Sequence, residues 1–324
     1  MTTSTTGPDT QLEEHRGALT GYCYRMLGSA FEAEDAVQDT MIRAWKSIDR
    51  FDGRSSLKTW LFSIATNVCL DALAARKRRA LPMDLQAEPS RAAGPLAPPL
   101  VETTWVEPIA DVRVVTTDGD PAEVIAMRES IRLAFVAALQ HLPPKQRAVL
   151  ILRDVLRLKA AEVADLLDQS VASINSALQR ARVSLESKDV NPDSTPKQPA
   201  ASDGALLTRY VDAFERYDID AFVSLLHEDA TQSMPPYPMW LRGTDEIATW
   251  MLGPGAPCRG SRLIPIMING VQGFAQYRPS GPGGRHEPWN LHVPEIVDGR
   301  IANITYFLDK KLFPLFGLPQ HPDD

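Results

Sequence analysis

Residues 141–182, HLPPKQRAVLILRDVLRLKAAEVADLLDQSVASINSALQRAR, constrain the fold more tightly than any other stretch of the chain. Pro143 and Pro144 suit a helix start, where a missing N–H leaves nothing unsatisfied. Ala148, Val149, Leu152, Val155 and Leu156 then recur at three- and four-residue spacing, which makes one buried helix face. A second helix is expected over about 160–167, with Val163, Ala164, Leu166 and Leu167 inward. Asp168-Gln169-Ser170 then forms a short polar turn, and Ser170 is the candidate N-cap of a third helix. On that helix Val171, Ile174, Leu178 and Ala181 make the inward stripe, leaving Ser173, Asn175, Ser176, Gln179, Arg180 and Arg182 outside. Short polar side chains in the first turns can approach base edges in a major groove, while arginines further along meet phosphates. The same pattern also fits a plain helical bundle with one solvated face.

The chain has 324 residues, enough for two or three domains. No apolar run reaches the roughly 18 residues that a membrane span needs. The start, MTTSTTGPDTQ, lacks a charged segment followed by an apolar core, so residues 1–11 read as a disordered tip and not a secretion signal. A cytoplasmic protein without membrane contact is expected. Cys23, Cys69 and Cys258 are isolated and odd in number, which fits reduced thiols better than a disulfide framework or a zinc site; no metal or cofactor is expected. A formal charge of -7 argues against a protein that coats nucleic acid unaided, although specific binding depends on local clusters such as Arg76-Lys77-Arg78-Arg79.

Taken in order, Leu19, Tyr22, Cys23, Met26 and Leu27 form the apolar stripe of a first helix that ends near Gly28. The next helix is expected to bury Ala33, Ala36, Val37, Met41, Ala44 and Trp45. Its N-terminal half is acidic (Glu32, Glu34, Asp35, Asp39) and its C-terminal half carries Arg43 and Lys46, matching the helix dipole. Such a helix is either a solvated face or a docking surface for a basic partner helix. A polar loop over 49–56, with Phe51 its one aromatic, leads into a helix that turns Leu57, Trp60, Leu61, Ile64, Ala65, Val68 and Leu73 inward. The cations of 76–79 complement its C-terminal end and are numerous enough for phosphate contact as well. Phe51 and Asp52 beside a face of Lys, Asn and Thr are parts that could hold an unstacked base.

The segment GYCYRMLGSAFEAEDAVQDTMIRAWKSIDRFDGRSSLKTWLFSIATNVCLDALAARKRR, followed by LPPKQRAVLILRDVL and the helix-turn-helix, resembles bacterial sigma factors of the extracytoplasmic-function group. The resemblance covers about 12–80 and 122–186 and implies two all-α modules. It implies that Glu34, Asp35, Gln38, Asp39, Arg43 and Trp45 dock on the β′ clamp helices of core RNA polymerase. Phe51, Asp52, Ser55, Lys58, Thr59, Trp60, Asn67, Asp71, Arg76, Lys77, Arg78 and Arg79 would melt and read the −10 element of promoter DNA. Ser170, Ala172, Ser173, Asn175, Ser176, Gln179, Arg180 and Arg182 would read the −35 element, with the polymerase β flap as a further partner. Asp168 stands where many relatives have glycine, which leaves the turn geometry open.

Residues 81–121 are rich in proline and lack helical periodicity, so they read as a linker between the two modules. By resemblance to sigma linkers it could thread through polymerase. It could also be a passive tether, with Trp105 anchoring it to a neighbouring domain. Residues 187–203 read as a second, disordered linker.

From 204 to 324 the pattern becomes mixed. Helices are expected around Leu206–Phe214, Phe222–Leu226 and Ile247–Met251, and strands over about 262–269, 273–278, 290–297 and 300–308, the last two joined by a hairpin at Asp298-Gly299. That order argues for an α+β domain whose curved sheet wraps its helices. The run ALLTRYVDAFERYDIDAFVSLLHEDATQSMPP with the following strands resembles the SnoaL-like domains of the cystatin-like cone family. A cone implies a pocket, for which His227, Tyr237, Trp240, Trp250 and His292 are the leading candidates, with Asp229, Tyr277, Trp289 and Glu295 behind them. The same residues are ordinary core composition. Catalysis would rest on His227, Asp229 and His292, and fold likeness alone does not carry chemistry over, so no enzyme is expected. The combined expectation is a sigma factor that a C-terminal domain regulates in cis through contact with the sigma modules. The alternatives are a bifunctional protein whose cone binds or turns over a small molecule, and a plain helix-turn-helix repressor.

Overall fold

The computed structural model describes residues 8–53, 55–74, 78–115, 120–186 and 201–322. Of the expected disordered tip, residues 1–7 lie outside the described residues, whereas Pro8–Glu13 is helical (α1). Helices α2 (Arg16–Leu27), α3 (Ala30–Ser47) and α4 (Leu57–Leu73) follow. Gly28 closes α2 in the left-handed region, at φ 69°, and its N–H reaches Tyr24 O at 2.7 Å. The hydroxyls of Ser29 and Ser56 cap α3 and α4 by accepting from Glu32 N and Thr59 N. Tyr22 crosses from α2 to α4, donating to Thr66 Oγ1 at 2.7 Å while its ring meets Phe62 edge-on at 5.3 Å. After Arg79 the chain leaves this first unit, runs through residues 80–110 with a short helix α5 (Pro82–Leu85), and rejoins it at Asp111.

Back in the first unit come α6 (Pro121–Glu129), α7 (Leu133–Gln140), α8 (Pro144–Leu150) with a π-helical turn over Ile151–Val155, α9 (Ala160–Leu167) and α10 (Val171–Glu186). α10 packs on α8 and α9, and α8 and α9 also pack on α4. The helix periodicities therefore place most core residues correctly. Trp45 is an exception: it is 61% exposed. The buried stripe of α3 is Ala33, Ala36, Val37, Thr40 and Ala44, and Trp45 lies about 100° round the helix from Ala44. Val171 is likewise 43% exposed, with Ala177 and Leu185 completing the α10 stripe in its place.

The second unit comprises 80–110 and 197–324. Helices α11 (Ala201–Glu215), α12 (Ile219–Val223) and α13 (Thr244–Leu252) accompany a six-stranded sheet of β1 (Leu226–Ser233), β2 (Trp240–Arg242), β3 (Arg262–Ile268), β4 (Val271–Arg278), β5 (Glu287–Val297) and β6 (Arg300–Phe307). Helix α14 (Leu312–Leu315) ends the chain's regular structure. The strand order is β2-β1-β6-β5-β4-β3, antiparallel except where β1 runs beside β6. Asp298-Gly299 turns the last hairpin with positive φ at both residues, and Asn269-Gly270 does the same between β3 and β4. Strands β1 and β2 were not expected from the sequence; LHEDATQS alternates poorly because His227, Glu228 and Asp229 are all exposed.

The expected linker 81–121 is, over 80–110, part of this unit. Ala80 bridges Trp105, Ser90 N donates to Trp240 O at 2.7 Å, Trp240 Nε1 donates to Gln86 O at 2.9 Å, and Leu100 N donates to Pro236 O at 2.9 Å. Glu246 receives both Ala92 N and Arg91 Nη1, at 2.7 and 2.9 Å, while Ile109 and Asn269 exchange two bonds of 3.0 Å. Ala92, Trp105, Val106 and Ile109 are buried. An extended strap needs no helical repeat to bury apolar groups, because single backbone groups along it, such as those of Ser90, Ala92, Leu100 and Ile109, pair with the domain beneath.

Candidate nucleic-acid interface

The helix-turn-helix is α9–α10. Asp168 ends α9 at φ 51° and ψ 53°, the left-handed geometry that glycine would supply, so the turn closes despite the side chain. Ser170 caps α10 by accepting from Ser173 N at 3.1 Å, and Ser173 Oγ donates to Gln169 Oε1 at 2.9 Å. With Ile174, Ala177, Leu178, Ala181 and Leu185 buried, Ser170, Ala172, Ser173, Asn175, Ser176, Gln179 and Arg180 are exposed together on one side. Gln179 and Arg180 line a shallow groove with Pro143, Gln146, Val183 and Ser184. Arg182 differs: its guanidinium holds Asp154 through two bonds of 2.8 and 2.9 Å and is half-buried.

On α3, Asp35, Gln38, Asp39, Arg43 and Trp45 are exposed, and Ile42, which sequence reasoning passed over, adds an apolar group that is 43% exposed. Its signal was present: it is the aliphatic neighbour of Arg43 on the side away from Ala44. Glu34 is half-buried and paired with Arg113. Arg43 also reaches Asp71 of α4 at 3.6 Å, tying this face to the next helix.

In the loop and α4, the rings of Phe51 and Trp60 lie 5.2 Å apart, both half-buried. Asp52 and Ser55 in the loop and Lys58, Asn67 and Asp71 along α4 are exposed, and Thr59 is half-buried with its hydroxyl 2.9 Å from that of Ser56. Arg76 and Lys77 lie outside the described residues. Arg78 is exposed and donates to His141 Nδ1 at 2.7 Å. Arg79 is turned inward: it is 4% exposed and bonds Glu32 at 2.9 Å, so the expected basic run does not present all its cations on one surface.

The five leading pocket candidates do not all converge. His227 is exposed, and Trp240 faces the strap through Gln86; Trp250 lies in the C-terminal core, with Tyr237 packed against it. His292 is fully buried and central. Gln276 Oε1 can only accept, so the 3.0 Å bond to it is donated by His292 Nε2–H. His292 Nδ1 therefore accepts from the Tyr210 hydroxyl at 2.8 Å. Gln276 Nε2 continues the chain to Ser261 Oγ at 2.8 Å, and Ser261 donates to Cys258 O at 2.7 Å. Burial pulls His292 down to about 3, so the imidazole is neutral, and burial holds the Tyr210 phenol well above its ordinary value. Register places Gln232 on the sheet face of Ile304 and Tyr306. Gln232 is 0% exposed, and neither end of its amide has a hydrogen-bond partner among the described residues. Gln232, Gln276 and Tyr210 were missed in the sequence because single polar residues on mixed strands and helices carry no spacing signal.

Residues 12–79 match the Sigma-70 region 2 family model, 132–185 the Sigma-70 region 4 model and 207–304 the SnoaL-like domain model. ECF RNA polymerase sigma factor SigG of Mycobacterium tuberculosis is 47% identical over 315 residues, 95% of this chain and 82% of that protein. The chain belongs to the ECF RNA polymerase sigma factors. This sigma factor is also 27% identical to SigJ of the same species over 305 residues, 90% of this chain and 88% of SigJ. The crystal structure of SigJ shares its fold, with a TM-score of 0.63 at 21% sequence identity and coverage of 96% of this chain and 99% of that one. The sigma factor thus carries two helical sigma regions and a C-terminal SnoaL-like domain. Among the described residues, no helix is long and apolar enough to cross a membrane.

Proposed function

We propose that this sigma factor joins core RNA polymerase in the cytoplasm, directs it to promoters and is regulated in cis by its C-terminal domain. The observation that carries this reading is the outer side of α10, where seven of the eight expected −35 readers are exposed together above a buried apolar stripe. Asn175, Ser176 and Gln179 read base edges, and Arg180 meets a phosphate. Asp35, Gln38, Asp39 and Arg43 surround Ile42 and Trp45 as an apolar centre with a charged rim, the anatomy of a docking face, which fits the β′ clamp helices. Phe51 and Trp60 offer a stacking platform for an unpaired base of the −10 element, with Lys58 and Asn67 exposed on the same helix and Arg78 past its far end. The region-4 module is the part that meets the β flap.

Run-off transcription with core polymerase on the gene's own upstream region tests the reading. Transcripts that require both the protein and core enzyme support it, and their absence on every promoter tried refutes it. Comparing the full chain with Glu246→Ala, which loosens the strap, gives the sign of control by the C-terminal domain.

A second reading of that domain has its own observation: the buried Gln232 amide on the same sheet face as His292, the centre of the directional Tyr210–His292–Gln276 chain. Such groups suit an uncharged small molecule bearing a carbonyl or hydroxyl. Tightly bound material released by denaturing the purified protein, identified by mass spectrometry, supports this reading. Protein that carries none and is not stabilised by any neutral aromatic alcohol or ketone counts against it.

A further inference from the structure

Helix α2, in the region-2 part, and helices α6 to α8, in or just before the region-4 part, close each other's ends. The last carbonyls of a helix have no partner within it, and the Gly28 turn satisfies that of Tyr24 alone. Arg25 O accepts from Gln140 Nε2 at 3.2 Å, and Met26 O accepts from Arg147 Nη1. Arg147 is steered to that position, since it also donates to Gln140 Oε1 at 2.6 Å, Gln140 O at 3.1 Å and Leu142 O at 3.2 Å. In the opposite direction Arg25 donates to Ser130 O at 3.1 Å and to Ser130 Oγ at 2.6 Å, and Ser130 is the C-cap of α6. Each arginine therefore sits at the negative end of a helix in the other module, in charge-assisted bonds. Arg25, Arg147 and Gln140 are 2%, 3% and 3% exposed. Gly28 permits the close approach, because a Cβ there would lie 3.1 Å from Gln140 Cδ.

We propose that these reciprocal arginine caps are a latch that holds the −35-reading module against the −10-reading module in the polymerase-free protein, and that it parts when both elements are read. The inference rests on the promoter reading above. Helices α8 and α9 pack on α4, so the latched form occupies surface of the −10 helix. The chemistry suits an interface that opens. Water can replace each donor and each carbonyl when the modules separate, so parting exchanges hydrogen bonds without stranding a buried polar group.

The test is a distance measurement on the full chain without polymerase. Dyes on Lys46→Cys in α3 and Ser184→Cys in α10, both exposed, in a Cys258→Ser background report module separation by energy transfer; Cys23 and Cys69 are fully buried and stay unlabelled. Arg147→Met and Arg25→Met are each expected to raise the separated population by about tenfold or more, with Arg147→Lys between them and the parent. Circular dichroism matching the parent certifies each fold, and if one methionine variant does not fold the other reads the same latch from its opposite side. Folded methionine variants with the parent's distance distribution overturn the latch. Because this readout contains no polymerase, failed run-off transcription refutes the promoter reading separately.

Discussion

Arg182 grips Asp154 with both prongs of its guanidinium, at 2.8 and 2.9 Å, and so links the recognition helix to the π-helical turn behind it. Arg180, one residue pair earlier, has its side chain in the open groove. The two arginines therefore separate by role. Arg180→Ala is expected to weaken promoter binding and lower the salt slope by about one, with little change in melting. Arg182→Ala leaves Asp154 partly buried without that partner and is expected to cost about 1–2 kcal/mol of stability, read as a lower melting temperature, with a smaller effect on the salt slope. Equal salt-slope losses in both variants would contradict this division.

Trp45 stands 61% exposed with Ile42 at its side. Removing the indole takes nothing from the core, so Trp45→Ala should fold and melt like the parent. Its affinity for core polymerase should fall by roughly tenfold to a hundredfold, as for an aromatic anchor in an interface. Titration of labelled protein with core enzyme measures this, and unchanged affinity would remove α3 from the docking face.

His292 ties stability to acid. Its folded value, about 3, lies below the ordinary histidine value of 6.5, so the unfolded chain takes up a proton before the folded one does. Stability is complete above about pH 6.5 and declines as the pH falls toward 3, by about 2 kcal/mol between pH 7 and pH 5. The groups facing the ring, Tyr210, Tyr306 and Gln276, do not titrate in that window. His292→Gln should flatten the dependence measured by denaturant unfolding at a series of pH values. A parent with no such slope would show that the ring is not held neutral.

Glu246 pins the strap by accepting from Ala92 N–H and Arg91. The Ala92 N–H, and then Arg91, lower its carboxyl below the ordinary 4.5, so this contribution is present above that value and fades as the pH falls through the lowered one. Glu246→Ala is expected to speed limited proteolysis within 86–100 several-fold at neutral pH while cleavage elsewhere stays constant. An unchanged cutting pattern would mean that the other strap bonds suffice.

The helical half was legible because its apolar stripes keep helical spacing and several helix ends carry their own punctuation. Gly28, Pro144 and Ser170 mark helix ends in the sequence and perform that job in the structure. The recognition face followed from one stripe, Ile174, Leu178 and Ala181, although a helical wheel alone could not foresee that Arg182 would be taken by Asp154. Apart from Trp105 as an anchor, the strap was illegible, for a different reason. Ala92, Trp105, Val106 and Ile109 obey no period, since an extended segment packs wherever the domain beneath offers a partner. Residue type alone, aromatic or titratable, points to His227, Tyr237, Trp240, Trp250 and His292 as pocket residues. The interior is instead set by sheet register, which places His292 beside Tyr306 and Phe274 and leaves His227 in solvent.

The strap also bears on how such a protein can be divided. Ala92, Trp105, Val106 and Ile109 lie ahead of the region-4 module in the chain, yet they are buried in the C-terminal unit. A stop codon after residue 186 is therefore not a clean excision, because it leaves those side chains bare in a product prone to stick to itself or to chaperones. The C-terminal domain is interleaved with the sigma modules and is not an appendage. A gene that loses it has to rewrite the middle of its reading frame as well as its end.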